Sequence, residues 1–216
     1  ESFEERMTVD GQPPTTKRIT DLIDEVAEAV RAIEREPGHL NPTYFEITTA
    51  IAWKHFTHSQ ADLAILEVGL GGRLDATNIC HPLTSIITSI SRDHIRLLGS
   101  DLTSIAREKA GIIKPRVPVI SGVSDGDAHD EIARKARQQD APLWRIDHEI
   151  QLEYHRQDHS IDVTTPRTRW RDVPVPLPGD HQAKNTALAL AALDLVAEAG
   201  YDVATDQATG GIKDVC

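Results

Sequence analysis

The chain has 216 residues, with 23 Lys and Arg against 34 Asp and Glu, a net charge of −11. That length suits one large domain, or a domain with part of another, and is enough to bury a core. The acidic balance argues against a nucleic-acid surface, the 39% hydrophobic and 26% charged composition argues against disorder, and no run approaches the roughly 18 apolar residues of a membrane span. Cys80 and Cys216 form no disulfide framework, and no signal-peptide pattern opens the chain, so a reduced, cytoplasmic protein is the simplest expectation. The sequence starts without Met and stops soon after a helix-like stretch, which reads as part of a longer chain.

Residues 1–14 read as a short strand or loop that turns at Asp10-Gly11 and stops at Pro13-Pro14. "ITDLIDEVAEAVRAIER" (19–35) places Ile19, Leu22, Ile23, Val26, Val30 and Ile33 at helical spacing, with Thr20 or Asp21 as cap and Pro37-Gly38 as stop. "TYFEITTAIAWKHF" (43–56) reads as a second, more buried helix. "DLAILEVG" (62–69), "LTSIITSIS" (83–91) and "PVISG" (118–122) read as apolar strands, with a helical stretch, "DLTSIAREKAGIIK" (101–114), between the last two. Such alternation predicts an α/β fold: a mostly parallel sheet flanked by helices.

After about residue 141 the pattern changes to short segments, "PLWRID", "IQLEYH", "SIDVTT" and "TRWRDVPV", which read as a small antiparallel sheet appended over 141–180. "DHQAKNTALALAALDLVAEAG" (180–200) is an Ala/Leu-rich helix, capped by Asp180 and stopped at Gly200. Residues 205–214 start one more helix.

Ligands of open α/β sheets bind beyond the carboxyl ends of the strands. One expected strand ends on Glu67 and runs into "VGLGGRLDATN"; the next ends in "SRDH", with Asp93 and His94 at its tip; "REKAG" then supplies Lys109. Glu67 and His94 at neighbouring strand ends suit one cation, and with phosphate oxygens as further ligands Mg2+ is the natural choice. Gly69, Gly71 and Gly72 would let a phosphate or substrate approach the backbone closely. The run is not a dinucleotide fingerprint, because Leu74 stands where the last glycine belongs. By spacing alone, the glycine turn is as consistent with an ordinary post-strand turn, and a lone His or helical Lys is more often structural or solvated. The residues by themselves reach an α/β protein with a candidate phosphate and metal site.

Taken together and in order, "TYFEITTAIAW", "LEVGLGGRLDATN", "SIITSISRDHIRLLG", "IAREKAGIIKPRVPVISG" and "PGDHQAKNTALALAAL" closely resemble the folylpolyglutamate synthase/dihydrofolate synthase family, a branch of the Mur ligase superfamily. The resemblance implies a central ATPase domain of an ATP-dependent ligase, which activates a pteroate or folate carboxylate as an acyl phosphate and joins it to glutamate. It implies that Glu67 and His94 hold Mg2+ and that Lys109 is carbamylated, turning a cation into an anion. It implies that Asn185 contacts the adenine, with His181 beside the nucleotide. It also implies a pterin pocket of Thr43, Phe45 and Asp75, with Phe45 stacking on the flat ring and Arg73 as an anion contact.

The family's Gly-Lys-Ser/Thr phosphate loop does not occur in these 216 residues, and the expected chain after Val215-Cys216 runs into a separate glutamate-binding domain. The expectation is therefore that this stretch alone is inactive. Another Mur-type ligase and a non-catalytic nucleotide- or folate-binding module are the competing readings.

Overall fold

A computed structural model describes residues 3–38, 40–91, 101–124 and 126–215. The chain forms two compact units, Glu1–Leu70 with Asp75–Ile79, and Gly71–Leu74 with Cys80–Cys216.

The first unit opens with a 3-10 turn, Glu4–Arg6, followed by a two-residue turn. Asp10 and Gly11 both take positive φ, and Val9 and Gln12 exchange backbone hydrogen bonds of 3.0 Å. Helix α1 spans Thr16–Ile33. Its cap is Thr15, whose hydroxyl accepts the Arg18 N–H, rather than Thr20 or Asp21. The paired prolines at 13 and 14 stop any earlier start, so the first cap-competent residue after them takes the position. Helix α2 spans Tyr44–His58. It is the more buried of the two over its length: besides Ile51 and His55, which are buried, Ile47, Ala52, Trp53 and Phe56 are half-buried, whereas α1 buries Ile19, Leu22 and Val26 on an otherwise mostly exposed helix. Met7, Ile19, Leu22, Val26 and Ile51 form the core of this unit. An apolar groove of about 620 Å³ opens beside them, lined by Val26, Val30, Tyr44, Ile47 and Ile51.

The run 62–69, expected as a strand, has no regular structure, and Ile65 in it is 93% exposed. The apolar pattern supplies the side chains of a buried strand but not its ladder, and among the described residues no strand forms a β-ladder with this run.

In the second unit, β1 (Ser85–Ile87), β2 (Val119–Ser121) and β3 (Leu143–Arg145) form a parallel sheet in sequence order. Helix α3 (Leu102–Lys109) lies between β1 and β2 in the chain and α4 (Asp127–Gln138) between β2 and β3. "PLWRID" therefore belongs to the parallel sheet, not to the antiparallel one. Ile87 and Val119 pack with Ala106, Ile113, Ile132 and Ala136. Ile120 and Trp144 pack with Ala183, Ala187 and Leu188 of helix α5 (Asp180–Glu198). The alternating strand residues thus divide between two helical neighbours, as the period of a strand requires.

An antiparallel sheet of β4 (Gln151–His155), β5 (Ser160–Thr164) and β6 (Arg169–Pro174) shares its apolar residues Ile161, Val163, Trp170 and Val173 with the α5 cluster. Helix α6 spans Thr205–Lys213. Gly200 follows the C-cap of α5 at φ +100, as the sequence indicates, but the N-cap is Gly179, not Asp180. Asp180 is drawn off by Arg156, whose guanidinium donates to it at 3.1 and 2.7 Å and holds its carboxyl below the usual range. Among the described residues no helix is long and apolar enough to cross a membrane.

Candidate active site

The glycine-rich stretch expected to bind substrate is divided between the two units, and each part can be built from its own contacts. In the first unit, Phe45 sits in the first turn of α2 and its ring lies directly on Gly69: a Cβ at that position would come within 2.5 Å of the ring. Phe45 is still 38% exposed, so one part of the ring rests on backbone and another is open. Thr43 does not present a free hydroxyl. It caps α2 in a reciprocal box, its Oγ1 donating to Glu46 Oε2 at 2.8 Å and accepting from the Glu46 N–H at 3.2 Å, while its own N–H donates to Glu46 at 2.7 Å. These bonds hold the Glu46 carboxyl below the usual range.

Asp75 is committed to its own loop. One oxygen accepts the Leu70 N–H at 3.0 Å; the other accepts the Thr77 N–H at 2.9 Å and the Thr77 hydroxyl at 2.6 Å. The carboxylate closes the loop and starts the 3-10 turn Ala76–Ile79, in the manner of an Asp at a helix N-terminus. A carboxylate offers about four acceptor sites, so accepting a ligand N–H as well is chemically feasible. Glu67 lies in the unpaired run rather than at a strand tip. It is exposed and has no hydrogen-bond or ion-pair partner among the described residues. An uncommitted carboxylate of this kind fits a cation ligand. Asp93 and His94, its expected neighbours, lie outside the described residues.

In the second unit, Gly71–Leu74 packs on the C-terminal turn of α3. The Arg73 N–H donates to the Glu108 carbonyl at 2.9 Å, and Arg73 Nε donates to the Glu108 carboxylate at 3.0 and 3.2 Å. Arg73 is therefore engaged with the protein through both its backbone and its side chain. The sequence could not show this pairing, because the two residues stand 35 apart and "GGR" gives no sign of its partner.

Three consecutive charges end α3, and they have different fates. Arg107 reaches α4, where its Nε donates to Glu131 at 3.0 Å; Glu108 takes Arg73; and Lys109 has no acidic partner among the described residues although it is half-buried. Glu131 is 6% exposed and also takes Arg134 at 2.7 and 2.8 Å, so the Arg134 and then the Arg107 hydrogen bonds hold its carboxyl down to about 2. The sequence pattern does not disclose this tie, because no helix is legible over 127–138.

His181 and Asn185 both lie in the first two turns of α5 and are exposed. The His181 ring folds back on Gly179, where a Cβ would come within 2.6 Å of it, and the Asn185 amide donates to Gln182 Oε1 at 3.4 Å. The helix N-terminus, with its unpaired N–H groups, favours negative charge nearby.

Among the described residues, one further group of side chains could offer ligand atoms together. Glu153, His155 and Asp162 bring them within 4.8 Å of one another on the face of β4 and β5. Asp162 is already neutralised there by Arg171 and accepts the Asp172 N–H at 2.9 Å.

A family model described as the Mur ligase middle domain matches residues 15–193. The chain is 33% identical over 191 residues to the folylpolyglutamate synthase of Lacticaseibacillus casei, covering 87% of this chain and 45% of that protein. It is 38% identical over 191 residues to the dihydrofolate synthase/folylpolyglutamate synthase of Escherichia coli K12, covering 88% and 42%. Among solved structures, the Thermotoga maritima folylpolyglutamate synthase matches with a TM-score of 0.86 at 27% identity, covering 100% of this chain and 49% of that one. E. coli FolC in complex with DHPP and ADP matches with a TM-score of 0.84 at 35% identity, covering 98% and 47%. The chain thus spans about half the length of the proteins it matches. On a match that runs through α1, both sheets and most of α5, this chain belongs to the Mur ligase middle-domain family.

Proposed function

We propose that this chain is the nucleotide-binding part of an ATP-dependent ligase that joins the carboxylate of a pteroate or folate to the amino group of glutamate, serving as both dihydrofolate synthase and folylpolyglutamate synthase. The observation that carries the reading is Lys109: a half-buried amine, with no acidic partner among the described residues, beside two charges that are both committed to ion pairs. The names of the relatives and the ligands of the matched structures, which include an AMPPCP–folate complex, give its chemical direction.

In this reading the substrate carboxylate attacks the γ-phosphorus of ATP and ADP leaves. The glutamate nitrogen then attacks the acyl carbon of the mixed anhydride, loses a proton, and displaces phosphate to leave an amide. Phe45 stacks on the flat pterin, and its support by Gly69 fixes the height of that shelf. Asp75 keeps the loop below the shelf closed and offers its remaining acceptor capacity to the pterin N–H groups. Asn185 presents both a donor and an acceptor to the adenine, and His181 lies beside the nucleotide.

Glu67, with His94, would hold Mg2+, which when bound offsets phosphate charge and draws electrons from the reacting phosphorus. In this reading the Lys109 amine, once deprotonated, adds through nitrogen to the carbon of CO2 and releases a proton, giving a carbamate, an anion where the lysine was a cation. Cytoplasmic ATP, glutamate and reduced folates are the implied partners, with neither nucleic acid nor membrane involved.

The test is ADP release by the protein at its native length, with dihydropteroate and reduced folate offered in turn. ADP formation that requires both glutamate and one of these carboxylates is expected. Turnover only with a peptidoglycan precursor would replace this reading with another Mur-type ligase. The 216 residues alone, which contain no Gly-Lys-Ser/Thr loop, are expected to turn over neither substrate.

A further inference from the structure

We infer that Arg73 and Glu108 form a clasp that holds Gly71–Leu74 against the last turn of α3 and so sets the position of Lys109, making Arg73 a positioning residue rather than a substrate contact. The inference rests on the role proposed above for Lys109, and on four observations that do not depend on it.

The clasp closes twice. The backbone N–H of Arg73 donates to the Glu108 carbonyl at 2.9 Å, and its Nε donates to the Glu108 carboxylate at 3.0 and 3.2 Å. The Glu108 carbonyl, in the helix's last turn, takes the Arg73 N–H in addition to that of Ala110, and a guanidinium suits the negative end of the helix. Gly72 allows this approach. It has φ +151, and a Cβ there would lie 3.0 Å from the Glu108 carbonyl oxygen and 3.1 Å from that of Lys109. Gly111 allows it from the other side, since a Cβ would come within 2.3 Å of Arg73 Cβ and 2.5 Å of Arg73 Cα.

The loop therefore touches the backbone on both sides of Lys109. Glu108 is pinned from the loop, Ala110 is fully buried in the core, and Gly111 abuts Arg73. A shift of the loop towards α3 would therefore run into backbone at Glu108, Lys109 and Gly111. Arg73 is bound at both its backbone and its side chain, which is the arrangement of a residue that fixes a neighbour.

The test compares Glu108→Gln, Arg73→Ala and the exchanged pair Arg73→Glu/Glu108→Arg in the protein at its native length. Two readouts are used. The first is labelling of lysines by cyanate, which adds to neutral amines, followed by peptide mapping. The Lys109 labelling rate is expected to change at least about threefold in both single variants while Lys184, on α5, keeps its rate; a general loss of structure would move both. The second is steady-state kinetics. Each single variant is expected to lower kcat by about tenfold with KM for the pteroate and for glutamate within about twofold, and the exchanged pair to recover part of the loss.

Unchanged Lys109 labelling in both single variants overturns the clasp. A rise in KM for an anionic substrate in Arg73→Ala, with Glu108→Gln unaffected, overturns it in favour of a direct anion contact. If the unaltered protein ligates neither substrate, the functional reading fails, and the labelling result still decides whether the clasp positions Lys109.

Discussion

Phe45, on α2, and Asp75, in the loop from Leu70 to Thr77, are held in different ways, and the difference is testable. The Phe45 ring is supported by Gly69 and 38% exposed, so removing it should cost binding more than folding. Phe45→Ala is expected to raise KM for the pteroate substrate by about tenfold, since stacking of a flat ring is worth roughly 1–3 kcal/mol, with little change in Tm, while Phe45→Tyr stays close to the parent. Asp75 is different, because its removal leaves the Leu70 and Thr77 N–H groups without their acceptor. Asp75→Ala is expected to cost about 1–3 kcal/mol and to expose the loop to proteolysis, whether or not a substrate is present. A purely ligand-binding Asp75 would instead leave unliganded stability and proteolysis unchanged. The sequence places both residues in recognisable motifs. It does not show that Thr43 spends its hydroxyl on a capping box or that Arg73 is held by Glu108, because those partners are set by how the chain folds back on itself.

At the scale of elements, the tie between α3 and α4 rests on Glu131. Its carboxyl is depressed from 4.5 to about 2, chiefly by Arg134 and then by Arg107. A depressed folded value means the contribution is fully present above about pH 4.5 and is lost as the pH falls towards about 2. Urea denaturation of the parent and of Glu131→Gln should therefore differ at pH 7, with the parent more stable by about 1–3 kcal/mol, and converge at the acid end. A difference independent of pH would contradict this assignment.

The helices α1, α2, α3 and α5 are legible from their apolar spacing, and Gly200 marks the end of α5. Helix α4 is not. Its buried face is made largely of Ala128, Ala133 and Ala136 around a single Ile132, a weak apolar signal among many charges. The run 62–69 misleads in the opposite direction, since Leu63 and Ile65 carry a strand's side chains without a pairing partner among the described residues.

At the scale of the molecule, the shift from parallel to antiparallel pairing comes after Arg145 rather than at residue 141, because Leu143–Arg145 pairs with β2. The sequence shows a change in strand chemistry there. Direction of pairing depends on the crossover before the strand, and α4, the helix that makes that crossover, was the one the pattern hid. The antiparallel sheet and α5 are joined by Asp194, a buried carboxylate that accepts the Thr165 hydroxyl, while that hydroxyl accepts the N–H groups of Arg167 and Thr168 at 3.1 and 3.0 Å. Asp194→Ala is expected to lower Tm by several degrees through the orphaned Thr165 turn, with substrate KM unchanged. The proposed glutamate ligation requires Lys109 in the reacting site. Its most direct test is mass-spectrometric detection of the glutamylated pteroate made by the protein at its native length, side by side with Lys109→Ala, with ATP binding measured in both. An ATP-dependent product in the parent, a loss of at least about a hundredfold in the variant, and retained ATP binding are expected. A parent that glutamylates neither dihydropteroate nor reduced folate, or a Lys109→Ala variant as active as the parent, would contradict it.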